Sequence, residues 1–392
     1  MKINEITVKS LLRKHKKIDS WFITHQSMNL YRGCSHRCVY CDGQAEGYYV
    51  TEKFGEEVAV KINAPEILKK ELDPHRKRTP IKKSYLNLGG GVSDSYQTLE
   101  EKYELCRKVL GVACDFGMPV SILTKSVLVK RDLDLIKQIH QQSGAIVSFS
   151  FSSMDDDLTS IFEPGASAAS QRLEAIKYFK QNGIPSGIFL MPVIPFITDS
   201  PALLEKAARK AREAGADFII FGGMTLKEGR QKENFRKTLF DYYPRLELEY
   251  QNLYTKDKYG LAKDEYYQSL NETFAVIAKK YNIPLRLPLK LFKNLLNEND
   301  LAIVILEHMD YYLKLSGNRS PYGYAAYSIS QLKEPLSALK GQLRSIKGVG
   351  EQTERVIKEI LNTKSSFYYE RLCGIAGDRP RNLIYSENMQ NL

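Results

Sequence analysis

The chain of 392 residues has a single tryptophan, only six cysteines and no run of about 18 or more apolar residues. The last absence excludes a membrane-spanning helix. Nor does the opening stretch, MKINEITVKSLLRKHKK, hold the apolar segment that a secretory signal needs. A cytoplasmic protein without a membrane partner is expected. Acidic residues are the scarcer charge: 46 Asp and Glu face 57 Lys and Arg, a formal net charge of +11. This balance fits a polyanionic partner, most commonly nucleic acid, although a solvated lysine-rich surface gives the same count. Two basic clusters, Lys9–Lys17 and His75–Lys83, are open to both readings. Cysteine is too sparse and uneven for a disulfide framework. Cys106, Cys114 and Cys373 are scattered, whereas Cys34, Cys38 and Cys41 fall within eight residues. The pattern points to reduced thiols and one metal site.

From about residue 25 to 222, short β-type runs alternate with longer helical ones. The predicted strands are Ser27–Tyr31, Lys83–Leu88, Pro119–Thr124, Ala145–Phe151, Gly187–Val193 and Asp217–Phe221. Helical patterns at Glu100–Val112, Arg131–Gln141, Gln171–Gln181 and Pro201–Glu213 separate them. Six β/α units in a row imply a parallel sheet with right-handed crossovers. The count fits an α/β fold built on a partial TIM-like (β/α)6 barrel, whose chemistry gathers at the C-terminal ends of the strands. After Gly223 the alternation stops and the chain reads as mainly helical. The expected organisation is an N-terminal extension (1–25), the barrel (26–225), a helical extension (226–300) and a helical C-terminal region (301–392). No internal repeat stands out.

The cysteines read C-x3-C-x2-C on a tight loop after the first predicted strand. Three thiolates can bind three irons of a cubane cluster, leaving the fourth iron open to a small molecule. Four-cysteine sites serve electron transfer; a vacant iron suits catalysis. A zinc site is the alternative, with His36 as fourth ligand. That histidine lies between Cys34 and Cys38 on the same turn, where closing a tetrahedron with its neighbours is difficult.

The loop Asn29–Cys41 (NLYRGCSHRCVYC), with Tyr40 before the last cysteine, resembles the hallmark of the radical S-adenosylmethionine (SAM) superfamily. Together with Val60–Glu71, Gly91–Glu100, Ile122–Asp132, Glu163–Ala175 and Gly183–Asp199, it is similar to the spore photoproduct lyase-like group, often labelled DNA repair photolyases. The resemblance implies a [4Fe–4S] cluster on Cys34, Cys38 and Cys41 and SAM as cofactor. It also implies a reducing partner such as flavodoxin or ferredoxin. SAM's amino group would meet Gly89 and Gly90 at the end of the second strand, where glycine permits close backbone approach. Ser93 and Asp94 follow at the mouth, Thr124 and Lys125 end the third strand, and Ser150 ends the fourth. Glu163 and Arg172 would pair with each other or face SAM's ribose and carboxylate. Met191 and Val193 would border the adenine, and Tyr40 would pack against it or the cluster. In true lyases of this group a cysteine that returns a hydrogen atom precedes the Ser-Asp pair. Here that position is Gly91.

A second motif lies at 343–361. Leu343–Thr353 (LRSIKGVGEQT) and the following helical run resemble a helix-hairpin-helix element. Its glycines allow a tight turn that aims backbone N–H groups at one phosphate, without sequence preference. Lys347, Gly348, Val349, Gly350 and Arg355 are the candidate nucleic-acid contacts. The leading expectation is therefore a radical SAM enzyme that cleaves SAM to a 5′-deoxyadenosyl radical and repairs or modifies nucleic acid, with DNA favoured. A peptide or small-molecule substrate is the enzymatic alternative. A nucleic-acid-binding protein with a structural metal is the non-enzymatic one.

Overall fold

The computed structural model describes residues 1–46, 54–76, 80–255, 257–339 and 341–374. Residues 77–79 of the basic run His75–Lys83 lie outside the described residues. Two compact units result, one over Met1–Asp300 and one from Leu301 onward.

The first unit is organised by a curled half-barrel sheet of seven strands. Ten strands are numbered in chain order: β1 (Lys2–Ile6), β2 (Arg13–Asp19), β3 (Thr24–Met28), β4 (Tyr31–Arg32), β5 (Glu57–Lys61), β6 (Leu86–Leu88), β7 (Val120–Thr124), β8 (Ala145–Phe151), β9 (Ser186–Val193) and β10 (Ile219–Gly223). Six of them, β3 and β6 to β10, pair in parallel and in sequence order, which is the (β/α)6 pattern that the alternation implies. Every residue of β8 is buried, as expected for a parallel strand covered on both faces. Helices between the strands turn apolar stripes inward, for example Leu173, Ile176 and Phe179 of Ala169–Gln181, and Leu204, Ala207, Ala208 and Ala211 of Pro201–Glu213.

Three local differences from the sequence reading have identifiable causes. The first parallel strand ends at Met28, because Tyr31 and Arg32 leave it to pair with β5 in a separate sheet of order β1-β5-β4. The predicted helix Glu100–Val112 breaks at Glu104, where φ is +50°. The Glu100 carboxylate accepts from the Leu105 and Cys106 N–H groups and so caps the second segment, Leu105–Asp115. Near the N-terminus, β2 pairs antiparallel with β3 and extends the barrel sheet, so strand pairing runs on both sides of residue 25.

In the second unit, Leu343–Ser345 forms a single 3-10 turn where the motif reading expects a helix. Gly348 then turns the chain at φ +82° into Glu351–Thr363, whose Val356, Ile357 and Ile360 are buried. None of the described helices is long and apolar enough to cross a membrane.

Candidate active site

The cysteine loop is a rigid insert held from three sides. At its start Gly33 has φ +85°, and a Cβ there would stand 2.7 Å from the Glu57 carbonyl oxygen. The loop beyond β6 grips first: Ser93 Oγ donates to the Gly33 carbonyl (2.9 Å), and Gln97 Oε1 accepts from Ser35 N (2.8 Å). The turn beyond β8 grips next. Gly165 N donates to His36 O and Val39 N to Phe162 O, each at 2.9 Å. That turn requires glycine, since a Cβ on Gly165 would lie 2.4 Å from Ser35 O.

The third grip comes from chain beyond the barrel and carries no motif in the sequence. Gln231 Nε2 donates to Tyr40 O (2.8 Å) and to Thr225 O (3.0 Å), and its Oε1 accepts from Lys227 N (2.8 Å). Asp42 pairs with Lys227 (2.5 Å) and accepts from Thr225 Oγ1 (3.1 Å). Gln44 Nε2 donates to Cys38 O (3.1 Å) and Val39 O (2.9 Å). An apolar cluster of Phe162, Ile194, Leu226, Phe235 and Tyr250 buries Cys38 and Tyr40 together. Sequence reasoning missed Gln44, Lys227 and Gln231. An isolated amide or lysine has no distinguishing pattern in the sequence.

Glu163 lies at the centre of the polar site. It is wholly buried and accepts from the Tyr40 hydroxyl and from Ser152 N (3.2 Å). Arg172, also fully buried, pairs with it at 2.5 Å, donates to Ser150 O, and lies 4.7 Å from the Phe151 ring centroid. Burial alone would raise the Glu163 carboxyl, but the Arg172 and Lys125 charges outweigh it and hold the group at about 2. The structure thus brings Glu163, Arg172 and Tyr40 together as one braced set, with the guanidinium directed at the protein itself. Lys125 is the half-buried cation beside them. Its Nζ donates to Ser150 Oγ (2.6 Å) and stands 5.9 Å from the Tyr40 ring centroid. Ser150 Oγ in turn donates to Met191 O (3.1 Å), so Lys125, Ser150 and Met191 form a chain across the mouth.

Asp94 is a junction. Its Oδ1 accepts from Thr124 Oγ1 (2.8 Å) and Tyr96 N (2.8 Å), and Oδ2 from Lys125 N (2.6 Å). His36 Nδ1 lies 3.4 Å from Oδ2, and burial pushes that imidazole down against the pull of Asp94. Asp94, Ser93 and Thr124 therefore join strand-end loops to the cysteine loop. Gly89, at φ +93°, presses on the Leu123 carbonyl oxygen, 2.3 Å from where a Cβ would be. Gly90 and Gly91 border open space: a Cβ at Gly90 would meet only Asn29 Oδ1 at 3.8 Å, and at Gly91 nothing within 4 Å. Val193 is fully buried and Met191 half-buried at the end of β9.

The model of the Radical SAM superfamily matches residues 28–207. An uncharacterized protein of Mycobacterium tuberculosis is 31% identical over 261 residues, covering 66% of this chain and 74% of that one. The chain belongs to the radical SAM superfamily. A second uncharacterized protein, from Methanocaldococcus jannaschii, is 31% identical over 218 residues, 55% of this chain and 76% of that one. Among solved structures, a spore photoproduct lyase mutant superposes with a TM-score of 0.51 at 19% identity, covering 71% of this chain and 79% of that one. Another, with bound AdoMet and dinucleoside spore photoproduct, gives 0.50 at 20% identity, covering 69% and 78%. These two share the fold. Membership makes this chain an enzyme of the radical SAM type.

The superfamily implies a [4Fe–4S] cluster and SAM, and the donor set suits them. Burial pushes the thiols of Cys34 and Cys41 up to about 12 and that of Cys38 still higher. Three thiols on one buried loop are therefore protonated unless cationic iron stabilises the thiolates. Gly43 N donates to Cys41 Sγ (3.3 Å), a contact that also suits a metal-bound thiolate. Among the described residues no three His, Cys, Asp or Glu side chains converge on one ion. A cubane asks for a different arrangement, with each thiolate on its own iron.

In the second unit, the hairpin residues divide. Lys347 Nζ lies 5.9 Å from the centroid of the Tyr324 ring and makes no ion pair among the described residues. Gly348 packs on the same ring, where a Cβ would stand 2.4 Å from Cδ1, and Val349 is buried. Gly350 caps the helix with nothing within 4 Å of its Cβ position. Arg355, expected to supply charge, is paired with Glu351 one turn back.

Proposed function

We propose that this enzyme cleaves SAM reductively and directs the resulting 5′-deoxyadenosyl radical at nucleic acid, DNA in the first place, for repair or modification. The bound cluster would supply the electron that breaks the S–C5′ bond. The chain's own residues do the rest. Cys34, Cys38 and Cys41 hold the iron, and the three grips on their loop fix its position. Gly89 and Gly90 would offer strand-end backbone to SAM's amino group, with Gly90 bordering open space. Lys125 and Ser150 offer a cation and a hydroxyl at the mouth for its carboxylate and ribose. Glu163 with Arg172 keeps Tyr40 oriented, and the apolar cluster around Cys38 keeps water from the iron.

The observation that carries the radical chemistry is the set of three thiols on one loop, with no three His, Cys, Asp or Glu side chains among the described residues placed to hold a single zinc ion. The nucleic-acid substrate is supported by the open Gly350 cap, by a neighbouring Lys347 that pairs with no acid among the described residues, and by the net charge of +11. The lyase with a bound dinucleoside photoproduct shows what that protein takes. Gly91, where such a lyase carries cysteine, argues for a different lesion or product here. The decisive experiment is anaerobic reconstitution. Protein with about four irons per chain should form 5′-deoxyadenosine from SAM with dithionite, or with a flavodoxin or ferredoxin. A cluster-loaded protein that releases no 5′-deoxyadenosine sinks the radical reading. No binding to DNA at low salt sinks the substrate reading alone.

A further inference from the structure

The turn beyond β9 displays an aromatic ring where the backbone calls for glycine. Ile194-Pro195-Phe196-Ile197 closes with Ile197 N donating to Ile194 O (3.2 Å), and Phe196 sits at φ +63°. Proline followed by a residue with positive φ is the type II turn pattern, whose second central position favours glycine or asparagine. Phenylalanine there is disfavoured by its own Cβ. The residue nevertheless remains 45% exposed, although its side chain has no polar atom that needs water. Strained residues of this kind concentrate where a ligand is handled.

The ring is also pre-set. It lies edge-on to Tyr250 (5.7 Å between centroids) and tilted against Tyr266 (6.5 Å). Those two rings are pinned by their hydroxyls, Tyr250 to Pro195 O (2.6 Å) and Tyr266 to Asp199 (2.9 Å). Ile194 and Ile197, on either side, belong to the apolar cluster that holds Cys38 and Tyr40. The turn thus adjoins the cluster that buries the cysteine loop, and Phe196, resting on Tyr250 of that cluster, stands exposed beyond the C-terminal end of β9.

We infer that Phe196 is a stacking platform for a nucleobase of the substrate, unstacked from its neighbours beside the radical site. The inference rests on the nucleic-acid reading above. A rigid, exposed ring accepts any base face without sequence preference, and its immobility spares the entropy of ordering it. A base on Phe196 leaves the duplex stack, as chemistry on a nucleotide requires.

The test uses the full-length, cluster-loaded protein and a single-stranded DNA oligonucleotide of about 12 nucleotides with one 2-aminopurine between abasic sites, so that its fluorescence starts unquenched by neighbouring bases and falls when it stacks on the protein. Wild type and Phe196→Trp should quench it. Phe196→Gly should melt within a few degrees of wild type, because relief of the turn offsets the packing lost on Tyr250 and Tyr266, yet should bind roughly tenfold more weakly or worse and lose the quenching. Unchanged affinity and quenching in Phe196→Gly overturn the inference alone. A fall in SAM affinity that parallels the lost quenching also overturns it, because the ring would then serve the cofactor's adenine. A wild-type protein that binds no oligonucleotide overturns the nucleic-acid reading and this inference with it.

Discussion

The Tyr40 hydroxyl donates to the Glu163 carboxylate, so the residue next to the third cysteine is tied to the loop beyond β8. Because Arg172 holds the other carboxylate oxygen, one buried anion joins the cysteine loop to two barrel elements. Disturbing any member should loosen the cysteines without touching them.

Glu163→Gln leaves the buried Arg172 guanidinium without its counter-charge and should lower folding stability by roughly 3 to 5 kcal/mol. The pH dependence has a definite sign. Glu163 is depressed to about 2 from an ordinary 4.5, so its contribution is complete above pH 4.5 and is lost as pH falls towards 2. Urea midpoints measured down that range should fall for wild type and be flatter for Glu163→Gln. Equal slopes would show that the carboxylate does not carry the pair.

Gln231→Leu removes three hydrogen bonds at once, from Tyr40 O, Thr225 O and Lys227 N. Leaving such groups unpaired and buried should cost about 1 to 3 kcal/mol each at most, with partial rescue by water. The expected result is faster iron loss to a chelator at unchanged iron stoichiometry after fresh reconstitution. Iron release at the wild-type rate would remove the third grip from the account.

Gly43 is a sharper probe of the same loop. A Cβ there would lie 2.6 Å from Val92 O and 3.3 Å from Cys41 Sγ. Gly43→Ala should therefore displace Cys41 and destabilise the protein by about 1 to 3 kcal/mol. Iron content per chain and the cluster's visible absorbance both report it, and normal values for both would contradict the geometry.

The two hairpin glycines should behave oppositely. Gly348→Ala meets the Tyr324 ring and a left-handed φ, so the second unit should lose stability. Gly350→Ala, at φ −88° in open space, should fold normally and report on DNA affinity alone. Lys347→Ala should lower the slope of log affinity against log salt by about 0.9 if the lysine meets one phosphate. An unchanged slope would take Lys347 out of the interface.

Three thiols at C-x3-C-x2-C, next to an aromatic, specify their chemistry because spacing along one loop already confines them. The parallel strands are equally legible in the amino-acid order, because β7, β8 and β9 are apolar runs between amphipathic helices, a local pattern that tertiary packing preserves. The break at Glu104 leaves no such trace, since the Glu100 side chain creates it outside any periodicity. Contacts that hold the cysteine loop arise only in three dimensions. Gln231 lies 191 residues from Tyr40, and Glu163 lies 123 from it. Separations of that order are set by how the sheet curls, and no local pattern encodes them. The three-thiol pattern therefore follows from the order of residues along one short loop. That Arg172 answers Glu163, that Asp94 joins three loops and that Phe196 stands exposed at the rim follow from the folded sheet, which alone brings distant segments within hydrogen-bonding reach.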